Sequence, residues 1–216
     1  MKNKKGGLIV FEGGEGTGKT TQATLLYQWL VDRGYKTLLT SEPGGHGGVG
    51  VFIRKILRDS KYEHRIDNTA EFFLFEAARA QHVNRELRRA LSDGKIVVCD
   101  RFHASTYAYQ VFARRTLSEK DFWYIDTIAT GGLKPDFSFL VDLKPKVGLA
   151  RKNKERVLTR FEKEKLNFHQ KVRVGFNRFY KKLVKKDCWQ KLNGALPPEK
   201  LHEQVLRKLL EKKFLS

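Results

Sequence analysis

Lys19 and Thr20 close the stretch Gly13-Gly14-Glu15-Gly16-Thr17-Gly18-Lys19-Thr20, which matches G-x-x-x-x-G-K-[ST] at every fixed position. That spacing serves phosphate binding. Glycines let backbone N–H groups turn inward around an anion, and the start of a following helix adds partial positive charge. From this position a lysine reaches β- and γ-phosphates, and the hydroxyl after it ligates Mg²⁺.

Four further constellations carry chemistry. Asp100-Arg101-Phe102 follows an apolar run, so Asp100 is placed to contact Mg²⁺. Arg101 can grip a phosphate bidentately or form a structural pair with its neighbour. Ser105, Thr106, Tyr109 and Gln110 follow closely, offering hydroxyls, a ring and an amide. Glu42, in Ser41-Glu42-Pro43-Gly44-Gly45-His46, faces either a substrate hydroxyl, a metal, or solvent in an ordinary turn. Phe72, Phe75, Arg79 and His82 share one helical face. An aromatic one turn from an arginine can hold a flat base and a phosphate; packing for the phenylalanines, a structural salt bridge for Arg79 and a structural hydrogen bond for His82 are the other readings. Lys152, Arg156 and Arg160 fall at i, i+4 and i+8 in a basic segment with no apolar core of its own, as suits a lid that closes over phosphates.

Positioning these groups requires strands that end where they begin. Strand-length apolar blocks occur at Leu8–Phe11, Thr37–Thr40, Ile96–Cys99, Phe137–Val141 and, more weakly, Cys188–Leu192. Helix-like stretches separate them: Thr21–Val31 carries Ala23, Leu25, Leu26, Trp29 and Leu30, Thr69–Asp93 reads as one long helix, and Pro197–Lys213 is amphipathic. Phe168, Val172, Phe176, Phe179 and Leu183 form a core-facing stripe. Alternating strands and helices predict an α/β fold with a parallel sheet covered on both faces. Ligands of such sheets bind at the carboxyl ends of the strands, which is where the groups above lie. Asn193-Gly194 is either a turn or one wall of an adenine pocket.

The chain has 216 residues, enough for a single domain spanning 1–216 with a mobile segment at about 150–162. No apolar run is long enough to span a membrane, and no signal-peptide apolar region follows the basic start. Cys99 and Cys188 offer neither a disulfide framework nor metal-ligand spacing, so both are read as reduced packing residues of a cytoplasmic protein. The formal charge is +19, and between Lys144 and Lys191 there are 17 Lys or Arg against 4 Asp or Glu. That excess suits a polyanionic substrate, a nucleic acid or a solvated helix face.

Together the motifs resemble those of the thymidylate kinase family over nearly the whole chain. The matching stretches are Phe11 through Gln22, Glu42-Pro43-Gly44-Gly45, Phe75-Glu76-Ala77-Ala78-Arg79, Asp100-Arg101-Phe102 with Ser105 and Ala108-Tyr109-Gln110, and Pro135-Asp136 with Asp142. The resemblance implies a P-loop NTPase fold with five parallel strands and a small basic lid, and transfer of the ATP γ-phosphoryl to dTMP on the way to dTTP. It implies that Gly13, Gly14, Glu15, Gly16, Thr17, Gly18, Lys19, Thr20 and Thr21 hold ATP, with Thr20 and Asp100 at Mg²⁺. It implies dTMP contacts from Glu15, Glu42, Phe75, Arg79, Arg101, Ser105, Thr106, Tyr109 and Gln110. Phe75 stacks on thymine, Arg79 reaches the base edge or the acceptor phosphate, and Tyr109 crowds the sugar's 2′ position. Glu15 faces the 3′-hydroxyl or metal-bound water. Family members with an arginine inside the phosphate loop differ from this chain, which has Gly16 there. Lid arginines Arg151, Arg156 and Arg160 are then expected, with Lys19, Glu15 and Arg101, to serve catalysis. A homodimer is implied as well.

The chain departs from the family pattern at Ser41, His46, Thr159 and Val111-Phe112-Ala113. Other readings are a kinase for a different deoxynucleoside monophosphate or for a deoxynucleoside, a silent nucleotide-binding relative, and an ATP-switched nucleic-acid binder. The last would need an aromatic-basic recognition motif, and none is found.

Overall fold

The computed structural model describes residues 6–63, 65–152, 158–183 and 188–215. Five strands form one parallel sheet in the order β2-β3-β1-β4-β5: β1 (Gly7–Glu12), β2 (Thr37–Ser41), β3 (Ile96–Asp100), β4 (Phe137–Asp142) and β5 (Trp189–Asn193). These are the five predicted blocks, each running on to a polar residue at its carboxyl end. Continuous apolar runs are what a strand buried on both faces demands, and β1 is buried throughout.

Helices cover both faces. On one side α1 (Lys19–Asp32) buries Ala23, Leu26 and Leu30 against Ile9, Phe11 and Phe139, while α9 (Pro198–Glu211) adds Leu201, Val205 and Leu209. Pro198 occupies the first turn of α9, where its missing N–H is not needed. On the other side lie α2 (Val49–Arg58), α3 (Asn68–His82), α4 (Arg88–Ser92), the one-turn α5 (His103–Thr106), α6 (Glu119–Thr130), α7 (Pro145–Lys152) and α8 (Leu166–Leu183). Asp67 starts α3 by accepting from Thr69 N at 2.8 Å.

The long helix expected from Thr69 to Asp93 exists with a π-helical turn at Val83–Leu87 between α3 and α4. A second π-helical stretch, Tyr107–Ala113, continues α5 and packs on α8 through Gly175. The stripe on α8 is core-facing as expected at Val172, Phe176 and Phe179, which are buried. Cys99 is buried and Cys188 half-buried, and the two are not joined in a disulfide. No helix is long and apolar enough to cross a membrane among the described residues.

Two expectations are corrected. The helical face meant to carry Lys152, Arg156 and Arg160 is not continuous: α7 ends at Lys152, and residues 158 and 159 are not helical. Arg156 lies outside the described residues. Arg160 is buried, with Nη2 at 2.6 Å from Glu71 Oε2 and Nε donating to the Leu57 carbonyl at 3.2 Å.

Candidate active site

The carboxyl ends of β1, β2 and β3 open on a cavity of about 420 Å³. It collects Glu15, Lys19, Thr20, Glu42, Phe75, Asp100, Arg101, Ser105, Thr106, Tyr109 and Gln110, all sequence-predicted. Parallel register explains the convergence. Phe11 pairs with Asp100 and Ser41 also pairs with Asp100, so the three strand ends sit side by side.

The loop after β1 wraps its own start. Lys19 Nζ donates to the Gly14 carbonyl at 3.0 Å, and Thr17 Oγ1 to the same carbonyl at 3.1 Å. Gly18 takes φ 94° at the start of α1. Gly16 takes φ 65°, and a Cβ there would collide with the Gly148 carbonyl of α7. Close approach of α7 thus gives a steric reason why this loop carries no arginine at Gly16. Thr21 sits on the first turn of α1, exposed and outside the cavity lining.

Arg101 is the hub of the loop after β3. Its backbone is left-handed, φ 76°, which a non-glycine residue adopts at some cost. In return its guanidinium donates to Gly13 O at 2.9 Å, Ser105 Oγ at 3.0 Å and Glu15 Oε1 at 2.7 Å, and it lies 5.3 Å from the centre of the Tyr109 ring. Tyr109 Oη also donates to Glu15 Oε1 at 2.7 Å. Burial would raise the Glu15 carboxyl, but Arg101, Lys19 and Tyr109 outweigh it and hold it at about 2. Burial, with Arg101 nearby, depresses the Lys19 ammonium.

Asp100 and Thr20 meet directly: Thr20 Oγ1 donates to Asp100 Oδ2. Asp100 Oδ1 is buried and has no hydrogen-bond partner among the described residues. An oxygen of this kind beside a hydroxyl suits a hard cation, and Mg²⁺ takes few protein ligands because it keeps its waters and substrate phosphates. The residues present therefore fit Mg²⁺. Among the described residues no cluster of three or more His, Cys, Asp or Glu could hold a metal by itself.

Arg79 does not line the cavity. It is 1 % exposed and donates to Glu42 Oε2 (2.9 Å), Glu76 Oε1 (2.5 Å), Asp126 Oδ1 (3.1 Å) and Thr106 Oγ1 (2.8 Å). Three carboxylates and a hydroxyl engage its guanidinium, so it supports Glu42 and Thr106 from beneath. Burial lifts the Glu76 carboxyl to about 7, with Arg79 opposing and Asp126 and Glu42 adding. His82 joins the same network at Thr40 Oγ1 (2.9 Å), as its structural reading required.

Sequence reading missed three groups. Arg54 and Arg58, one turn apart on α2, line the cavity; Arg54 Nη1 donates to Ser41 Oγ at 2.9 Å and Pro43 O at 3.3 Å. Their i, i+4 spacing was the available signal. Glu12 is fully buried and accepts from Phe102 N (3.0 Å), Ser105 N (3.3 Å) and Ser105 Oγ (2.6 Å). It ties β1 to the loop that carries Arg101; an acid ending an apolar strand was its mark. Arg151 bridges two turns instead, donating to Gly16 O at 3.3 Å and Gly194 O at 3.1 Å.

A family model described as "Thymidylate kinase" matches residues 11–205. Curated relatives described as thymidylate kinase include one from Dehalococcoides mccartyi, 40% identical over 93% of this chain and 94% of its own. One from Trichormus variabilis is 39% identical over 93% of each chain, and one from Gloeobacter violaceus is 46% identical over 78% of each.

Proposed function

The chain belongs to the thymidylate kinase family, and we propose that it transfers the γ-phosphoryl group of ATP to dTMP, giving ADP and dTDP. One observation carries this reading: Lys19 and Thr20 of the phosphate loop share a single cavity with Phe75, Tyr109 and Gln110. Donor phosphates and an acceptor base thus have binding groups in the same space.

Phosphoryl transfer asks a protein for alignment and charge neutralisation more than for covalent help. The run Gly13–Thr20 cradles the triphosphate, with Thr21 behind it on α1, and Lys19 neutralises charge at the transferring group. Arg101, with Arg54 and Arg58 added by the structure, holds the acceptor phosphate. An oxygen of that phosphate attacks the γ-phosphorus as the bond to the ADP oxygen breaks. Thr20 and Asp100 are the residues to hold Mg²⁺, which when bound neutralises phosphate charge. Phe75 is half-buried and free to stack on the thymine ring. Tyr109, bonded to Glu15, walls the sugar, where it disfavours a 2′-hydroxyl. Glu42, Ser105, Thr106 and Gln110 complete the acceptor side, and Arg79 acts on that side only through Glu42 and Thr106. The basic segment at about 150–162 serves as the lid, and Arg151, bonded here to the Gly16 and Gly194 carbonyls, is its candidate arginine for the transferring phosphate, with Arg156 outside the described residues.

A homodimer is supported by exposed apolar side chains on three helices that pack in sequence: Val49 and Phe52 on α2, Phe73 on α3, and Tyr124 and Ile128 on α6. Sedimentation should show a dimer in the wild type and a monomer in Phe52→Glu; equal masses would remove this surface. A cytoplasmic location suits anionic nucleotide substrates, and cell fractionation would check it.

The function is tested by ADP release with ATP and Mg²⁺ against dTMP, dUMP, dGMP, dCMP, UMP and AMP. Preference for dTMP is the expected result. Preference for another monophosphate keeps the phosphate-loop chemistry and overturns the base assignment. No turnover with any of them overturns the kinase reading and leaves a nucleotide switch, with salt-dependent DNA binding as its own mark.

A further inference from the structure

Gln110 and Glu71 are both buried, at 1 % and 0 % exposure, and Gln110 Nε2 donates to Glu71 Oε1 at 2.8 Å. Glu71 also receives Arg114 Nε at 2.7 Å on the same oxygen, and Arg160 Nη2 lies 2.6 Å from its other oxygen. A carboxylate between two guanidinium groups only accepts, so it must face the donating end of the Gln110 amide. The reverse orientation would set two acceptor oxygens against each other without water. Gln110 meanwhile lines the acceptor cavity, whereas Glu71 does not.

We propose that Glu71 sets base selectivity by holding the Gln110 amide with its oxygen turned to the cavity, so that the site reads a ring N–H. This rests on the cavity being the dTMP site. Thymine and uracil carry a proton on N3; cytosine presents a lone pair there. An acceptor oxygen opposite N3 pairs with the first two and repels the third. Uracil shares thymine's edge, so this device separates dTMP from dCMP and is blind to dTMP against dUMP. Glu71 is a positioning residue, since it acts only through Gln110.

The experiment measures kcat/KM for dTMP, dUMP and dCMP with ATP and Mg²⁺ in the wild type, in E71M and in the conservative variant E71Q. A methionine at 71 has no oxygen to accept from Gln110, which frees the amide to turn over. The dTMP-to-dCMP ratio should then fall at least about tenfold, because a buried group built for one hydrogen-bonding pattern loses its discrimination. The dTMP-to-dUMP ratio should stay at its wild-type value. A purely structural role for Glu71 lowers all three substrates together, and an unchanged dTMP-to-dCMP ratio in folded E71M overturns the proposal. In E71Q the amide oxygen takes the place of Oε1, where Arg114 and Gln110 both donate, so the ratio should be kept. If E71M does not fold, E71Q is read alone, and loss of the ratio there overturns the proposal. A wild type that favours dCMP overturns the N3 reading but leaves the kinase; a wild type inactive on all three removes the kinase reading itself.

Discussion

Arg101 Nη2 stands 2.7 Å from Glu15 Oε1 across two loops that leave neighbouring strands, β3 and β1. The bond locks the acceptor side of the cavity to the phosphate loop, and Arg101 holds it from a left-handed backbone, φ 76°. One guanidinium serves Gly13, Ser105 and Glu15 at once. A lysine keeps the charge and loses that fork. Arg101→Lys should therefore lower kcat/KM for dTMP by about a hundredfold or more, with the unfolding midpoint near that of the wild type. Steady-state kinetics beside a denaturant titration checks it, and near-normal kinetics would mean that charge alone suffices.

Thr20 and Asp100 come from α1 and β3, and their contact forms before any cation is considered. Asp100→Asn keeps the shape and removes a negative charge from the oxygens that suit Mg²⁺. The Mg²⁺ concentration giving half-maximal rate should rise by about tenfold to a hundredfold, while saturating Mg²⁺ restores part of the rate. A Mg²⁺ titration of both proteins decides it. An unchanged midpoint would show that Asp100 serves only to fix Thr20.

The sheet and the phosphate loop were legible because both write local signals. Apolar blocks marked four strands plainly and β5 more weakly, since Gln190 and Lys191 interrupt it, and fixed glycines followed by Lys19-Thr20 marked the loop. Arg79 shows what was not legible. Its apolar neighbours demanded an anionic partner, but only folding reveals that Glu42, Glu76 and Asp126, from two helices and a loop, surround it. Glu12 escaped for the same reason: its partners, Phe102 and Ser105, lie some ninety positions away. Arg160 illustrates a false periodicity. Spacing alone put it on a lid helix, while tertiary packing took it to Glu71.

Glu12 gives a signed pH dependence. Burial lifts its carboxyl to about 7, against the opposing pull of Ser105 and Arg101, whereas in the unfolded chain it titrates near 4.5. Between those values the folded state holds a proton that the unfolded state has released. Its contribution to stability is therefore fully present below about 4.5 and is lost as pH rises through about 7. Glu12→Gln cannot titrate. The loss of stability from pH 5 to pH 8 should be smaller in the variant than in the wild type, as urea midpoints at the two pH values will show. Equal losses would assign that slope to other groups, among them Glu76.

Arg160 separates packing from catalysis. Its guanidinium is buried on Glu71 and the Leu57 carbonyl and lies 4.6 Å from the centre of the Phe161 ring. Phe161 in turn lines the cavity and lies 5.8 Å, ring centre to ring centre, from both Phe75 and Tyr109. Removing one member of a buried pair leaves the other's charge uncompensated, at a cost of about 3 kcal/mol, and Arg114 on Glu71 limits that cost. Arg160→Ala should thus lower the unfolding midpoint clearly. It should also weaken dTMP binding, because Phe161 loses its backing. The opposite pattern, an unchanged midpoint with a large fall in kcat alone, would mean that Arg160 leaves Glu71 during turnover and reaches the transferring phosphate. Denaturant titration and steady-state kinetics on the same preparation distinguish these outcomes, since a buried structural arginine and a mobile catalytic one shift different quantities.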